Sequence, residues 1–162
     1  MRITAKVDYG VRAVVELAAS GPAPLKGDVL AQRQRIPAKF LENILADLRR
    51  AGLVASQRGA DGGYWLAVPA SSISVADVIR AVEGPLADVH GMAPERVDYA
   101  GSAQGLRRVW VATRAALRDL LEQVTVADIA ADRLPPAFED LLGDPDAWAR
   151  RGSPTGRHDP PS

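Results

Sequence analysis

Residues 25–66 read LKGDVLAQRQR, then IPAKFLENILADLRRA, then GLVASQRGADGGYWL, and the order of these three pieces decides the fold. In the middle piece Phe40, Leu41, Ile44, Leu45 and Leu48 recur at helical spacing, with Ile36 entering below them, so one apolar stripe faces inward. Ala38, Lys39, Glu42 and Asn43 then face outward on the first two turns. Pro37 suits the first helical position, where no backbone donor is needed, and Gly52 suits the stop just past the end. The piece before it, Leu25 to Arg35, is a shorter amphipathic segment. In the third piece Gly59, Gly62 and Gly63 with Asp61 mark a tight turn between Leu53–Gln57 and Tyr64–Val68, a two-stranded hairpin. Two short helices followed by a hairpin spell a winged helix-turn-helix, in which the second helix enters the major groove of DNA.

The exposed side chains fit that use. Lys39, Glu42 and Asn43 carry the donors and acceptors that base edges demand, Arg49 and Arg50 at the far end of the helix suit phosphates, and Arg58 stands beside Gly59 at the base of the wing. Any solvated helix face carries such groups, so the helix alone leaves both readings open; the wing tips the balance. Net charge is zero, but residues 1–70 hold ten Lys/Arg against six Asp/Glu, and residues 71–162 hold ten against fourteen. The basic half contains the motif, which favours an anionic partner such as double-stranded DNA.

A chain of 162 residues, 47% hydrophobic and 25% charged, has the composition of a globular protein with a real core, and none of its apolar runs reaches the ~20 residues that span a bilayer. The N-terminus lacks the pattern of a signal peptide. There is no cysteine, which excludes disulfides and thiol chemistry and fits a cytoplasmic location. An enzyme would need a nucleophile, a base and an oxyanion site; with no Cys and two His, of which His158 lies near the C-terminus, that class is set aside.

Val7, Val11, Val14, Val15 and Ala18 predict a supporting helix over Thr4–Ala19. Beyond the wing, Ser74 with Asp77 opens a short helix that runs to Gly84-Pro85, and Thr125 with Asp128 opens another that Pro135-Pro136 ends. Between Pro85 and Gly105 no period is convincing; the segment is read as a loop whose length suits sensing, with His90, Met92 and Tyr99 as candidate effector contacts. From Ser102 to Val124 runs the longest predicted helix, with Leu106, Val109, Trp110, Thr113, Leu117, Leu120, Leu121 and Val124 along one seam. That seam suits a homodimer, the alternative being the core helix of a monomer. Phe138–Leu142 is weakly amphipathic, and from Gly143 the chain is polar and rich in Gly and Pro, as disordered tails are.

Four blocks together, MRITAKVDYGVRAVVELA, LAQRQRIPAKFLENILADLRRAGLV, RGADGGYWLA and ISVADVIRAVEGPLADV, resemble the IscR/NsrR/CymR-type family of bacterial winged-helix transcriptional regulators, and the similarity extends to VTVADI at 124–129. The resemblance implies a homodimer on a palindromic operator, with the long helix as its dimerisation element. It also puts Lys26 and Arg12 beside phosphates and adds Pro37, Ala38, Phe40 and Gly59 to the implied DNA-contacting set. Lys26 stands where the family has a Thr or Ser cap, and Arg35 replaces a glycine of its turn; each departure costs about 1 kcal/mol if the backbone is kept. Relatives that sense iron, nitric oxide or redox state hold an iron–sulfur cluster through three cysteines before the long helix. This chain has none; Asp8 and His90 alone fall at or beside family ligand positions, so neither a metal site nor a cofactor is expected.

The expected architecture is mainly α with a small β-wing. It places a winged helix-turn-helix domain at 1–84, a sensing loop at 85–101, a dimerisation helix with following short helices at 102–142 and a disordered tail at 143–162. The expected function is transcriptional regulation, most simply repression, without a cluster. The cysteine-less branch of the family includes the CymR-type regulators, which points to sulfur and cysteine metabolism under a small-molecule or protein effector. The competing class is a protein–protein adaptor that kept the fold and lost specific DNA binding.

Overall fold

The computed structural model describes residues 3–149. Its elements in chain order are α1 (Ala5–Ala19), α2 (Gly27–Gln34), α3 (Ala38–Arg50), β1 (Val54–Gln57), β2 (Gly63–Leu66), α4 (Val75–Glu83), α5 (Leu106–Gln123), α6 (Val126–Ala130) and α7 (Pro136–Leu142), a helical chain with one two-stranded antiparallel sheet. This is the winged helix-turn-helix expected from the order of the three pieces.

The core forms where α1 meets the reading pair. Val7, Ala13, Val14 and Leu17 of α1 bury against Leu30 and Ala31 of α2 and against Leu41, Ile44, Leu45 and Leu48 of α3. Gly10 brings α1 close to α4: a Cβ there would stand 3.3 Å from Val82 Cγ1 and 3.4 Å from Val78 Cγ1. Ion pairs brace the same junctions from outside. Lys6 Nζ lies 2.8 Å from Asp47 of α3, and Glu16 accepts from Gln34 Nε2 at 2.6 Å and from Arg33 Nη1 at 3.1 Å, both on α2.

The α2–α3 turn keeps its geometry despite the missing glycine. Arg35 itself takes the left-handed conformation, φ 52°, and Ile36 N–H reaches Ala31 O at 2.9 Å, closing α2 as a glycine would. Lys26 provides no side-chain cap to α2; Asp28 Oδ1 accepts instead from Val29 N–H. The backbone thus absorbs the Arg35 departure and the Asp28 carboxylate the Lys26 one, with the fold unchanged.

The wing is tied down at its base. β1 pairs with β2 from Val54↔Leu66 to Gln57↔Gly63, and Leu25 joins through two backbone bonds with Tyr64, at 2.9 and 2.8 Å. A Cβ on Gly62 would lie 2.2 Å from Gln57 O, and one on Gly63 2.6 Å from Leu25 O, so this glycine pair is what lets the hairpin fold back on both neighbours.

Beyond the wing the structure departs from the expected pattern at several element boundaries. The 85–105 segment holds no α-helix or strand; within it Val89 bridges Met92, short 3₁₀ turns occupy Pro94–Arg96 and Gly101–Ala103, and Leu86, Pro94 and Val97 are buried. Accordingly α5 starts at Leu106 instead of Ser102. Val124 leaves the predicted seam: it lies past the end of α5, 3% exposed, and its carbonyl accepts from Val75 N–H. It thereby returns α6 to the head, where Val126 is fully buried and Ser74 bridges Thr125. Finally, α6 ends at Ala130, and Pro135-Pro136 begin α7 rather than stopping the helix before it. The tail expected from Gly143 includes a 3₁₀ turn, Pro145–Ala147; residues 150–162, with His158, lie outside the described residues.

Gly62→Ala should destabilise the head by roughly 1–3 kcal/mol, because the added methyl meets backbone that cannot move without opening the hairpin. Urea unfolding monitored through Trp65 fluorescence checks this, and a midpoint equal to that of the parent would show the wing base to be looser than its geometry implies.

Candidate nucleic-acid interface

The helix α3 presents one exposed face and one buried face. Leu41, Ile44, Leu45 and Leu48 are each at most 1% exposed, while Ala38, Lys39, Glu42 and Asn43 are exposed on the first turns, as the spacing required. Lys39, Glu42 and Asn43 make no ion pair or side-chain hydrogen bond among the described residues, so their polar ends are uncommitted. Pro37 holds the N-cap of α3 and is exposed.

Phe40 does not share the buried stripe. It is 42% exposed, and its ring meets the edge of Tyr9 on α1 at 5.6 Å between centroids, nearly perpendicular. Arg12 stacks over the Tyr9 ring, 5.3 Å from its centroid, and pairs with Asp8 at 3.1 Å. Tyr9 is thus a residue that helical spacing left on an outer face and that in fact positions Phe40 and Arg12 beside the start of α3.

The basic residues differ in how free they are. Arg49 Nη1 donates to Ser56 Oγ of β1 at 3.1 Å, and Arg50 pairs with Asp47 at 2.8 Å, so both guanidiniums are oriented by neighbours while their side chains stay exposed. Hydrogen bonding from Lys6, then from Arg50, outweighs the opposing effect of burial and holds the Asp47 carboxyl below its ordinary range. At Glu16, burial pushes the pKa up, and the bonds from Gln34, Arg33 and Ser20 more than offset it. Arg58 and Gly59 are exposed in the turn that follows β1, at the tip of the wing rather than at its expected place at the base, because β1 ends at Gln57; Arg58 has no ion pair among the described residues. Lys26, exposed at the start of α2, lies next to Gly27, which packs on the Tyr64 ring of the wing. Recognition helix, wing and α2 start therefore share one rigid support.

The long helix splits the predicted seam in two. Leu106, Leu117, Leu120 and Leu121 are half-covered, whereas Val109 is 52% and Trp110 38% exposed, with Thr113 exposed between them. No residue of α5 is fully buried. Of the candidate effector contacts, His90 and Met92 are exposed on the turn closed by the Val89–Met92 bridge, and Tyr99 is half-buried.

A winged reading head carried on a long helix is the architecture of a DNA-binding transcriptional regulator. The family model of Rrf2, an iron-dependent transcriptional regulator, matches residues 3–132, and the chain belongs to that family. A candidate HTH-type transcriptional regulator of Mycobacterium tuberculosis is 46% identical over 145 residues, covering 89% of this chain and 90% of its own. The HTH-type regulator CymR of Bacillus subtilis is 35% identical, covering 81% of this chain and 91% of its own. Among solved structures, CymR, the global cysteine regulator of B. subtilis, superposes with a TM-score of 0.68 at 33% identity, covering 82% of this chain and 98% of that one. IscR of T. potens superposes at 0.66 with 34% identity, covering 82% and 88%. The chain is accordingly a transcriptional regulator and not an enzyme. No helix among the described residues is long and apolar enough to cross a membrane.

The iron implied by the family's description does not fit the side chains present. The chain has no cysteine, and among the described residues no three His, Asp or Glu side chains gather where they could hold a metal ion. Asp8 is engaged by Arg12, and His90 stands on an exposed turn at φ 52°. Hard carboxylates and a lone imidazole are poor ligands for the soft iron sites of a cluster.

Proposed function

We propose that this regulator acts as a homodimer on a roughly palindromic operator, as a repressor, without an iron–sulfur cluster. The observation that carries this reading is the uncommitted set Lys39, Glu42 and Asn43 on the first turns of α3, a helix packed on the same buried core as the wing strands. Groups with no intramolecular partner, on a rigid helix, are pre-organised to exchange water for base edges; Arg49, Arg50 and Lys26 flank them as phosphate contacts. Reading two half-sites about one helical turn apart requires a twofold partner, and the exposed strip of Val109, Trp110 and Thr113 on α5 is the apolar surface suited to it. Similarity to a CymR described as a global cysteine regulator supports sulfur and cysteine metabolism as the regulated pathway. The effector then acts through the 85–105 segment, which packs on α5, by changing how the two long helices pair and hence the separation of the recognition helices.

Replacing Asn43 by Ala should weaken binding to the operator by about 1–3 kcal/mol and leave random-sequence DNA nearly unaffected. Because the Asn43 side chain has no partner among the described residues, urea stability should stay within about 0.5 kcal/mol of the parent. Fluorescence anisotropy on both DNAs checks this; an equal loss on both would remove Asn43 from sequence reading, and no preference for any DNA in the parent would favour the adaptor reading.

Trp110→Asp should dissociate the dimer and lower operator affinity, since pairing would bury an unpartnered charge in an apolar strip. Sedimentation of parent and variant at micromolar concentration decides it: a monomeric parent would return α5 to a purely internal role.

A further inference from the structure

Where α4 ends against α5, a cleft of about 390 Å³ is lined by Arg80, Gly84, Pro85, Leu86, Arg114 and Arg118. Its size is within the range of small-molecule sites. Three of six lining residues are arginines and none is acidic; the carboxylates that meet these arginines, Asp77, Glu95 and Glu122, stand outside the lining. The three guanidiniums are not equally engaged. Arg80 is held twice, by Asp77 at 3.3 Å and by Glu122. Arg114 is only 19% exposed and gives Nη2 to Glu95 at 2.7 Å, leaving its other nitrogens free of ion pairs. Arg118 makes no ion pair or hydrogen bond among the described residues.

Arg114 and Arg118 sit four residues apart on one helix, so they face each other as like charges, an arrangement that destabilises a helix by itself. An anion between them reverses the sign of that interaction and satisfies the planar donors of both. The end of α4, with its unpaired carbonyls, repels negative charge, which puts the anionic head on the α5 side and the body of the ligand over Pro85 and Leu86. Bound there, an anion competes with Glu95 for Arg114. Glu95 lies in the 3₁₀ turn Pro94–Arg96 that packs on α5, so occupancy loosens the segment next to the pairing helix.

We propose that this cleft is the effector site and that it takes a small anionic metabolite with a carboxylate or phosphate head and a short apolar body. The regulatory half of the proposal rests on the reading of the chain as an operator-binding dimer; the binding half does not.

The two halves are tested separately on the full chain. Inorganic phosphate and succinate are titrated into DNA-free protein at constant ionic strength, and amide signals are followed by heteronuclear NMR. The expected result is saturable shifts at Gly84, Leu86, Arg114 and Arg118, with Arg118→Gln weakening binding about 10-fold or more, as loss of a charge-assisted bond does. Whichever anion binds more tightly identifies the head group. Arg118 is exposed, and an unchanged spectrum away from the cleft verifies that the variant is folded. Shifts that never saturate with either anion, or equal affinity in Arg118→Gln, would overturn the site. Operator affinity with and without the tighter anion then tests regulation: a change in the parent that Arg118→Gln lacks supports it, and saturable binding with no change in operator affinity overturns the effector role while leaving the anion site standing.

Discussion

The burial of one face of α1 is the constraint on which the rest of the molecule depends. Ala13, Val14 and Leu17 are essentially inaccessible, and the helix that carries them meets α2, α3, α4, α6 and β2. A recognition helix is useful only if its outer side chains arrive at a groove in fixed orientation, and β1 touches α3 only near its C-terminal end, where Arg49 meets Ser56. What fixes it is close packing of Leu41, Ile44 and Leu48 on α1, with the Lys6–Asp47 pair at the margin. Gly10 extends the same support to α4, whose Val78 and Val82 pack directly against α1.

Charge is distributed in step with this packing. Polar groups that brace the fold are paired: Glu16 with α2, Asp47 with Lys6 and Arg50, and Asp77 and Asp128 within reciprocal caps of α4 and α6. Lys39, Glu42 and Asn43 on α3 and Arg58 of the wing have no side-chain partner among the described residues. The contrast separates structural from recognition residues better than charge alone, since Arg50 and Arg58 are both exposed arginines and only Arg50 is tied to its own helix.

Much of this was legible in the residue pattern, for identifiable reasons. Four-residue spacing on α3 and the glycine pair of the wing each encode a local geometry that tolerates few alternatives, and the Ser74–Asp77 and Thr125–Asp128 pairs mark helix starts that formed complete capping boxes. Phe40 was misplaced because it sits at the border of the stripe, where a ring on another helix, Tyr9, decides its side. Val124 was misplaced because spacing continues a helix that the chain in fact leaves, the following turn being captured by Ile73 and Val75 through long-range backbone bonds. The arginine cleft was invisible for a similar reason: Arg80 and Arg114 are far apart in sequence, and only packing of α4 on α5 brings them together.

Membership of a family described by iron, in a chain without cysteine, makes the metal the most direct test of the account. Protein purified without oxygen would be assayed for iron and acid-labile sulfide, and its operator affinity measured before and after treatment with a strong chelator. The expected result is colourless protein, iron and sulfide far below one per chain, and the same affinity on both sides of the treatment. Stoichiometric iron and sulfide in the active fraction, with operator binding lost on chelation, would contradict it.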